Sequence, residues 1–372
     1  MGRADLLAIP PVASDGYDGR LPQDASRLAK LAALALTMAG GAALFALLGV
    51  DPWQGLRLFL VEPFNGLYAW GELAVKSAPL ALCAVGLSIC FRANVWNIGA
   101  EGQLVAGAVA GAGVALLAGP ETWRGYVCLV MVAGMLGGMA WAAVTAWLKD
   151  RYGANEMLVS LMLTYVIQLL LGYLVFGPWR DPYGFNFPQS RSFEEAALLP
   201  ALWEGTRAHA GWLLALLAVV GAWLFLSRFH AGFRLRVAGA APAAARYAGY
   251  SSRQALWASM LTCGALAGLA GIGEVAGPMQ RLTSSVSPGY GFAAVIAAFL
   301  GRLHPAGAFA ASIVMAALYI GGELAQSRLG MPASIVGIFQ GLALALLLLG
   351  DTLVRYRIRL RHPFGAARGW HG

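Results

Sequence analysis

The sequence predicts an all-α membrane protein of about ten spanning segments, arranged as two inverted halves, with both termini cytoplasmic. Three observations carry that prediction. Apolar runs recur from about Leu28 to about Val354; 59% of all residues are hydrophobic and 12% are charged, about half the charged share usual in soluble domains. Arginines gather beside the ends of these runs, the pattern that marks the cytoplasmic side of a membrane. Two runs, the third and the eighth, each second after an initial span in the sets 72–118 and 254–301, are too short to cross as straight helices, as interrupted spans are.

The segments fall near 28–50, 72–91, 102–118, 126–148, 157–177, 211–227, 254–277, 289–301, 307–325 and 333–354. A leader, 1–27, mixes Asp5, Asp15, Asp18 and Asp24 with Arg3, Arg20 and Arg27; no short apolar core follows a basic start, so it reads as a polar tail and not as a secretory signal. In the segment 72–91, Glu72 and Lys76 stand four apart in the favourable order for a helical ion pair near the outer interface. Lys149 and Arg151 close 126–148, and Asn155 and Glu156 open 157–177 as a helix start. The loop 178–210 mixes Arg180, Arg191 and Arg207 with Asp181, Glu194, Glu195 and Glu204. The stretch 228–253 instead carries Arg228, Arg234, Arg236, Arg246 and Arg253 with no acid, and the tail 355–372 is equally basic. Ten crossings put the basic stretches in the cytoplasm and the mixed loop outside. The layout is therefore a cytoplasmic tail 1–27, a membrane domain 28–354 and a cytoplasmic tail 355–372. The net charge of +8 is explained by this asymmetry, and nucleic-acid binding is not expected.

Small residues at four-residue spacing, Gly107 with Gly111, Gly134 with Gly138 and Gly264 with Gly268, point to closely packed helices. The four cysteines, Cys83, Cys90, Cys128 and Cys263, lie in apolar runs without metal-ligand spacing and read as small buried hydrophobes. Trp53, Trp70, Trp123 and Trp212 near span ends fit an interfacial aromatic belt.

Polar residues inside the apolar runs are the candidate site. A carboxylate at the centre of a membrane helix costs about 2.5–3.5 kcal/mol on insertion scales, so a retained one has a use. Asn97, Glu101 and Gln103 stand in FRANVWNIGAEGQLVAGAVAGAGVALL, Phe91 to Leu117. They could line a solute path, or cap the short helix after Gly99 with Glu101 favoured by its dipole. Asn155 poses the same choice, with the helix start favoured. Glu274 ends a glycine-dense run and must face water or a polar partner. In the basic loop, Pro242 followed by three alanines and Arg246 reads as a short exposed helix suited to docking on another protein. The three lysines follow Ala, Val and Leu, so no Gly-Lys of a phosphate-binding loop is encoded, and neither HExxH nor GxSxG occurs.

The chain resembles the permease subunit of ABC importers in the branched-chain amino acid and simple-sugar permease superfamily, nearest to its nucleoside-uptake branch. The residues that carry the resemblance are NIGAEGQ (Asn97–Gln103), ANEMLVSLMLTYV (Ala154–Val166), RVAGAAPAAARYAG (Arg236–Gly249) and AGLAGIGEVAGPMQRLTSSVSPGYGFAAVIAAFLGRLHPAG (Ala267–Gly307). Departures are Ala241 and Ala243, where the family has Asn and Glu, Ala293 for Asp, and Thr164 for Asn. The resemblance implies a multi-pass protein of the inner or plasma membrane that imports a nucleoside-like solute. It implies a second homologous permease, in a heterodimer, an ABC ATPase subunit that uses the ATP, and an extracytoplasmic substrate-binding lipoprotein. The chain itself would be no enzyme and hold no cofactor. The solute path would involve Asn97, Glu101, Gln103, Asn155, Glu274, Tyr290 and Phe292. The coupling helix would lie in Gly232–Gly249, with Arg234, Arg236, Pro242, Ala244, Arg246 and Tyr247 at the ATPase. Alternatives are a permease for sugars or other metabolites, and an ion-coupled secondary transporter using Glu101 or Glu274.

Overall fold

The computed structural model describes residues 39–332 except 44, 48, 124 and 186, together with 337, 338, 341, 342 and 345. Every element below lies within the unit Ala42–Gln340. The segments expected at 28–50 and 333–354 fall largely outside the described residues, and the tails 1–27 and 355–372 wholly so.

Asp51 opens a helix that hydropathy does not mark, Pro52–Leu60 (α1). Its carboxylate accepts from the Trp53 amide at 3.0 Å, and Pro52 sits at the first turn, where its missing N–H costs nothing. Leu67–Arg92 (α2) follows, 26 residues and so about 39 Å long, enough to cross about 30 Å of hydrocarbon. It is the central post of the unit: α6, α9, α10 and α11, defined next, pack around it, and its apolar stretch is buried throughout.

The remaining helices are Ala100–Ala115 (α3), Tyr126–Tyr152 (α4), Glu156–Phe176 (α5), Gly211–Arg228 (α6), His230–Ala240 (α7), Pro242–Tyr247 (α8), Ser252–Glu274 (α9), Tyr290–Leu300 (α10) and Pro305–Leu329 (α11). A wider π turn, Val275–Met279, continues α9 and contains Pro278, whose absent N–H a regular turn would miss. Six described helices are long and apolar enough to cross a membrane: α2, α4, α5, α6, α9 with its π turn, and α11. The two segments expected to be short are so, with 16 residues in α3 and 11 in α10.

The glycine pairs read from sequence meet one another. A Cβ on Gly107 would fall on the Gly268 backbone, and one on Gly138 would fall on the backbone of Gly264 and Gly268. Gly111 and Gly134 both press on the Ile272 side chain. Small residues thus let α3, α4 and α9 approach backbone to backbone, the contact that substitutes for hydrophobic drive inside lipid. By contrast α5 and α6 bury only one face and present Leu169, Tyr173 and Leu217 outward. Among the cysteines, Cys83, Cys90 and Cys263 are buried, but Cys128 is exposed, which corrects the expectation for that residue. It sits in the first turn of α4, ahead of the glycines that bring this helix against its neighbours.

Two ends of the unit can be told apart. At one, Arg253 reaches Asp150 at 2.7 Å, the Trp257 indole donates to the same carboxylate at 3.1 Å, and Arg92 donates to the Leu303 carbonyl at 2.7 Å. The basic stretch 228–253 lies here. At the other, the 178–210 loop runs over the turn after α9: the Ser190 amide donates to Leu282 at 2.8 Å, and the Arg191 guanidinium to the Leu116 carbonyl. The charge contrast seen in sequence therefore separates two physical ends.

Candidate functional site

Both interruptions converge on one carboxylate. Glycines supply the close approach: a Cβ on Gly291 would strike the backbone of Ala100 and Glu101, so only a bare Cα lets the first turn of α10 reach the first turn of α3. Gly289 enters α10 at φ 94°, a left-handed conformation that a side chain would oppose. Across this contact Glu101 Oε2 accepts from the Gly291 amide at 2.7 Å, and the carboxylate is 1% exposed. The Ser287 hydroxyl accepts from the Gly289 amide at 3.1 Å and the Tyr290 amide at 2.9 Å, and itself acts on Glu101. Two helix N-termini, each with first-turn amides that lack a partner within their own helix and a positive dipole end, thus meet head to head around one negative group. From there α3 runs toward the end where Leu116 takes Arg191, and α10 toward the end where Leu303 takes Arg92. This is the relation that inverted halves require.

The turn before α3 is closed by a reciprocal amide pair. Asn97 Nδ2 donates to Gln103 Oε1 at 3.2 Å, Gln103 Nε2 donates back to Asn97 Oδ1 at 3.3 Å, and the same oxygen accepts from the Gly99 amide at 3.0 Å. Asn97 Nδ2 also donates to Cys263 Sγ at 3.2 Å, tying the break to α9. Neither side chain is more than 1% exposed, and each meets its needs inside the chain. The start of α5 supports the break from the side: the Trp96 amide donates to Glu156 Oε1 and the Ile98 amide to Ser160 Oγ, both at 3.4 Å. Glu156 also pairs with Lys149. Asn155 is the N-cap of α5, accepting from Met157 at 2.9 Å and Leu158 at 3.4 Å, on an exposed surface. Tyr290 is 2% exposed and edge-on to Tyr319, whereas Phe292 is 38% exposed, the outward side chain beside the break.

Glu274 lies elsewhere, in a charged cluster toward the end that carries the 178–210 loop. Glu72 and Lys76 do not pair with each other, which corrects the four-residue spacing argument. Glu72 takes both donors of the Arg207 fork, Nε at 2.8 Å and Nη2 closer, while Lys76 Nζ reaches Glu323 at 2.7 Å. Each buried charge is instead met by a partner from another element, Arg207 with a two-pronged fork and Glu323 with a single close contact. Lys76 and Arg207 are the cations acting on Glu274, which is 6% exposed and whose Oε2 has no hydrogen-bond partner. His209 lines the same small cavity. Its Nδ1 accepts from the Gly211 amide at 3.2 Å, so Nε2 carries the proton, and that atom too is unpartnered. Burial pushes the His209 imidazole down to about 4, keeping it neutral at physiological pH.

At the opposite end Pro242 begins α8 as the sequence predicts, and Tyr247 at its close is 97% exposed, with Ala244 and Arg246 exposed beside it. Arg234 and Arg236 belong to the preceding helix α7, which sequence reading left as loop. Arg234 donates to Gln254 Oε1 at 2.9 Å and stacks over Tyr250, while Arg236 Nε is buried without a partner. The expected coupling residues therefore divide into an outward set on α8 and an inward-braced set on α7.

Comparison with known proteins places this arrangement. The family model described as branched-chain amino acid transport system / permease component matches residues 70–349. The chain belongs to this family. The glucose ABC transporter permease protein TsgB13 of Haloferax volcanii is 37% identical over 89% of this chain and 88% of its own length. The guanosine ABC transporter permease protein NupP of Bacillus subtilis is 29% identical over 84% and 90%, and the nucleoside ABC transporter permease protein NupB of Lactococcus lactis 25% over 80% and 83%. No solved structure matches. As an ABC permease with six apolar membrane-length helices among its described residues, the protein is a multi-pass membrane protein, and such subunits are not themselves enzymes. The ion-coupled alternative falls with this membership.

Within this permease, Ser287 and Gly291 are the site residues that sequence reasoning underused. In the sequence they stand only within the Ala267–Gly307 motif, and the signal for more is the SPGYG string itself, a hydroxyl four residues ahead of a bare Cα. Arg207 as partner of Glu72 carried no local signal, since 135 residues separate them.

Proposed function

We propose that this permease imports a neutral, hydroxyl-rich solute, a monosaccharide or nucleoside, as one of two permease subunits of an ATP-driven importer. The observation that carries the solute class is the set of relatives: glucose, guanosine and, in a probable riboflavin permease of Treponema pallidum at 27% identity, riboflavin all bear a polyhydroxylated part. Sugar is the favoured member, because the glucose permease shares more identity than either of these nucleoside permeases, and because Thr164 and Ala293, which depart from the family's usual Asn and Asp, weaken the nucleoside assignment. A pair of unlike permeases is supported by TsgB13 with TsgC13, and NupP with NupQ, both members of each pair matching this chain. The partner ATPase would dock on α8 through Ala244, Arg246 and Tyr247 at the cytoplasmic face, and a substrate-binding lipoprotein on the end carrying 178–210. ATP binding would close the ATPase pair and tilt the permease subunits; its differential affinity for the two states supplies the bias.

In this reading Asn97, Glu101, Gln103 and Tyr290 hold the paired helix starts in place, and Phe292 faces the passage between subunits. The test is uptake of labelled glucose and labelled guanosine by inner-membrane vesicles from cells with and without this chain. Loss of ATP-dependent glucose uptake on deletion, with guanosine uptake unchanged, is expected. The reverse pattern assigns a nucleoside, and loss of neither overturns the proposal.

A further inference from the structure

A groove beside the α7–α9 corner is separate from both the break and α8. Its floor is one stripe of α9, Ala255, Ala258 and Thr262, faced by Phe225 of α6 and Leu235 of α7, and it encloses about 290 Å³. From Ser251 to Thr262 a helix rises about 16 Å, close to half of the roughly 30 Å hydrocarbon layer. The groove therefore spans one leaflet, from the interface to near the midplane. Its apolar length ends in a polar mouth, where the Arg234 guanidinium is held by Gln254 at 2.9 Å and by the face of Tyr250 at 5.3 Å from the ring centre.

Three features select an occupant. Among the described residues no carboxylate pairs with Arg234, so its charge is oriented but not neutralised. The stretch 228–253 contains five arginines and no acid, and among the described residues Arg253 alone of them pairs with a carboxylate, that of Asp150. The small side chains of the stripe leave room for a slender apolar chain, whereas Thr262 uses its hydroxyl on the Ala258 carbonyl at 2.7 Å and offers the groove its methyl.

We propose that this groove holds a phospholipid of the cytoplasmic leaflet with an anionic headgroup, its phosphate at Arg234 and one acyl chain along Ala255–Thr262. The inference rests on the placement of 228–253 at the cytoplasmic face, not on the identity of the transported solute. A bound anionic lipid would brace α7 against α9 next to the exposed α8, tying the position of the docking helix to leaflet composition.

The test uses the full chain in nanodiscs with photoactivatable phosphatidylglycerol, its diazirine midway along one acyl chain, and with phosphatidylcholine carrying the same group. Phosphatidylglycerol should label peptides covering 252–262 roughly fivefold more than phosphatidylcholine, the factor one guanidinium gives at an anionic surface. Arg234→Gln should erase that preference and Arg234→Lys retain most of it. Ala258→Leu, which fills the groove, should lower labelling by both lipids at unchanged melting temperature. Equal labelling by the two lipids, or Arg234→Gln labelling like the wild type, overturns the proposal. Displacement of the label by millimolar glycerol phosphate would assign the site to a soluble phosphate and overturn it too. None of these readouts depends on transport, so a failure here is distinct from a failure of the functional reading.

Discussion

Two buried glutamates in glycine-rich settings behave in opposite ways. Glu101, 1% exposed, hands its charge to the amides of a second helix and sits in a network where Asn97, Gln103 and Ser287 each have partners. Glu274, 6% exposed, stands among Lys76, Arg207, Glu72 and Glu323, yet leaves Oε2 without a donor and faces a His209 whose Nε2 is equally idle. The first arrangement is closed: two helix dipoles and one carboxylate cancel locally. The second is open, held by long-range charge rather than by directed hydrogen bonds, and it involves Arg207 and His209 of the 178–210 loop. The difference is one of bonding: the centre satisfies its buried charge with directed amide donors, whereas the 178–210 end leaves buried polar atoms unpartnered.

That contrast can be broken most severely at the centre. Glu101→Leu leaves the Gly291 amide buried without an acceptor and should cost about 2–3 kcal/mol, with uptake down at least tenfold. Glu101→Gln keeps an acceptor and should recover about half of the stability loss; melting of the purified permease with both variants checks this.

Next in size is the 178–210 end under acid. The folded state holds the His209 pKa below its unfolded value, so the unfolded chain binds more protons between about pH 6.5 and pH 4, and stability falls as pH drops through that window. Between pH 7 and pH 5 the loss should be on the order of 2 kcal/mol, read as a fall in melting temperature. His209→Gln should flatten that slope.

A smaller effect follows from Arg207→Gln, which strands Glu72. The Arg207 side chain is 54% exposed, so the cost should be about 1–2 kcal/mol, and adding Glu72→Gln should recover most of it in a double-mutant cycle. Smallest is Glu274→Gln. An oxygen without a partner loses little when it becomes an amide, and the melting temperature should move by less than about 0.5 kcal/mol equivalent. A large loss there would erase the distinction between a closed centre and an open end.

Much of this architecture was legible in sequence, and the reasons differ by feature. The short helices α3 and α10 announced themselves because a membrane fixes the length of a span, so a run of 16 or 11 residues must end inside the protein. The glycine pairs of α3, α4 and α9 were legible because small residues at four-residue spacing have one packing use. Partner choice was not legible. Glu72 and Lys76 have the spacing of a helical pair, but partners distant in sequence, Arg207 and Glu323, take them instead. Nor could spacing show that Glu101 caps the other half's helix, since Gly291 stands 190 residues away. Asn97 and Gln103 were open between path and cap, and the structure finds them joined to each other and to the Gly99 amide.

Hydrogen exchange at the start of α10 tests the shared carboxylate most directly. Peptides covering 287–300 should be strongly protected in the wild-type permease; Glu101→Leu should lose that protection at Tyr290 and Gly291, while Glu274→Gln leaves it unchanged. Equal protection in Glu101→Leu and the wild type would contradict the account, because the Gly291 amide would then have no need of the carboxylate that joins the two halves.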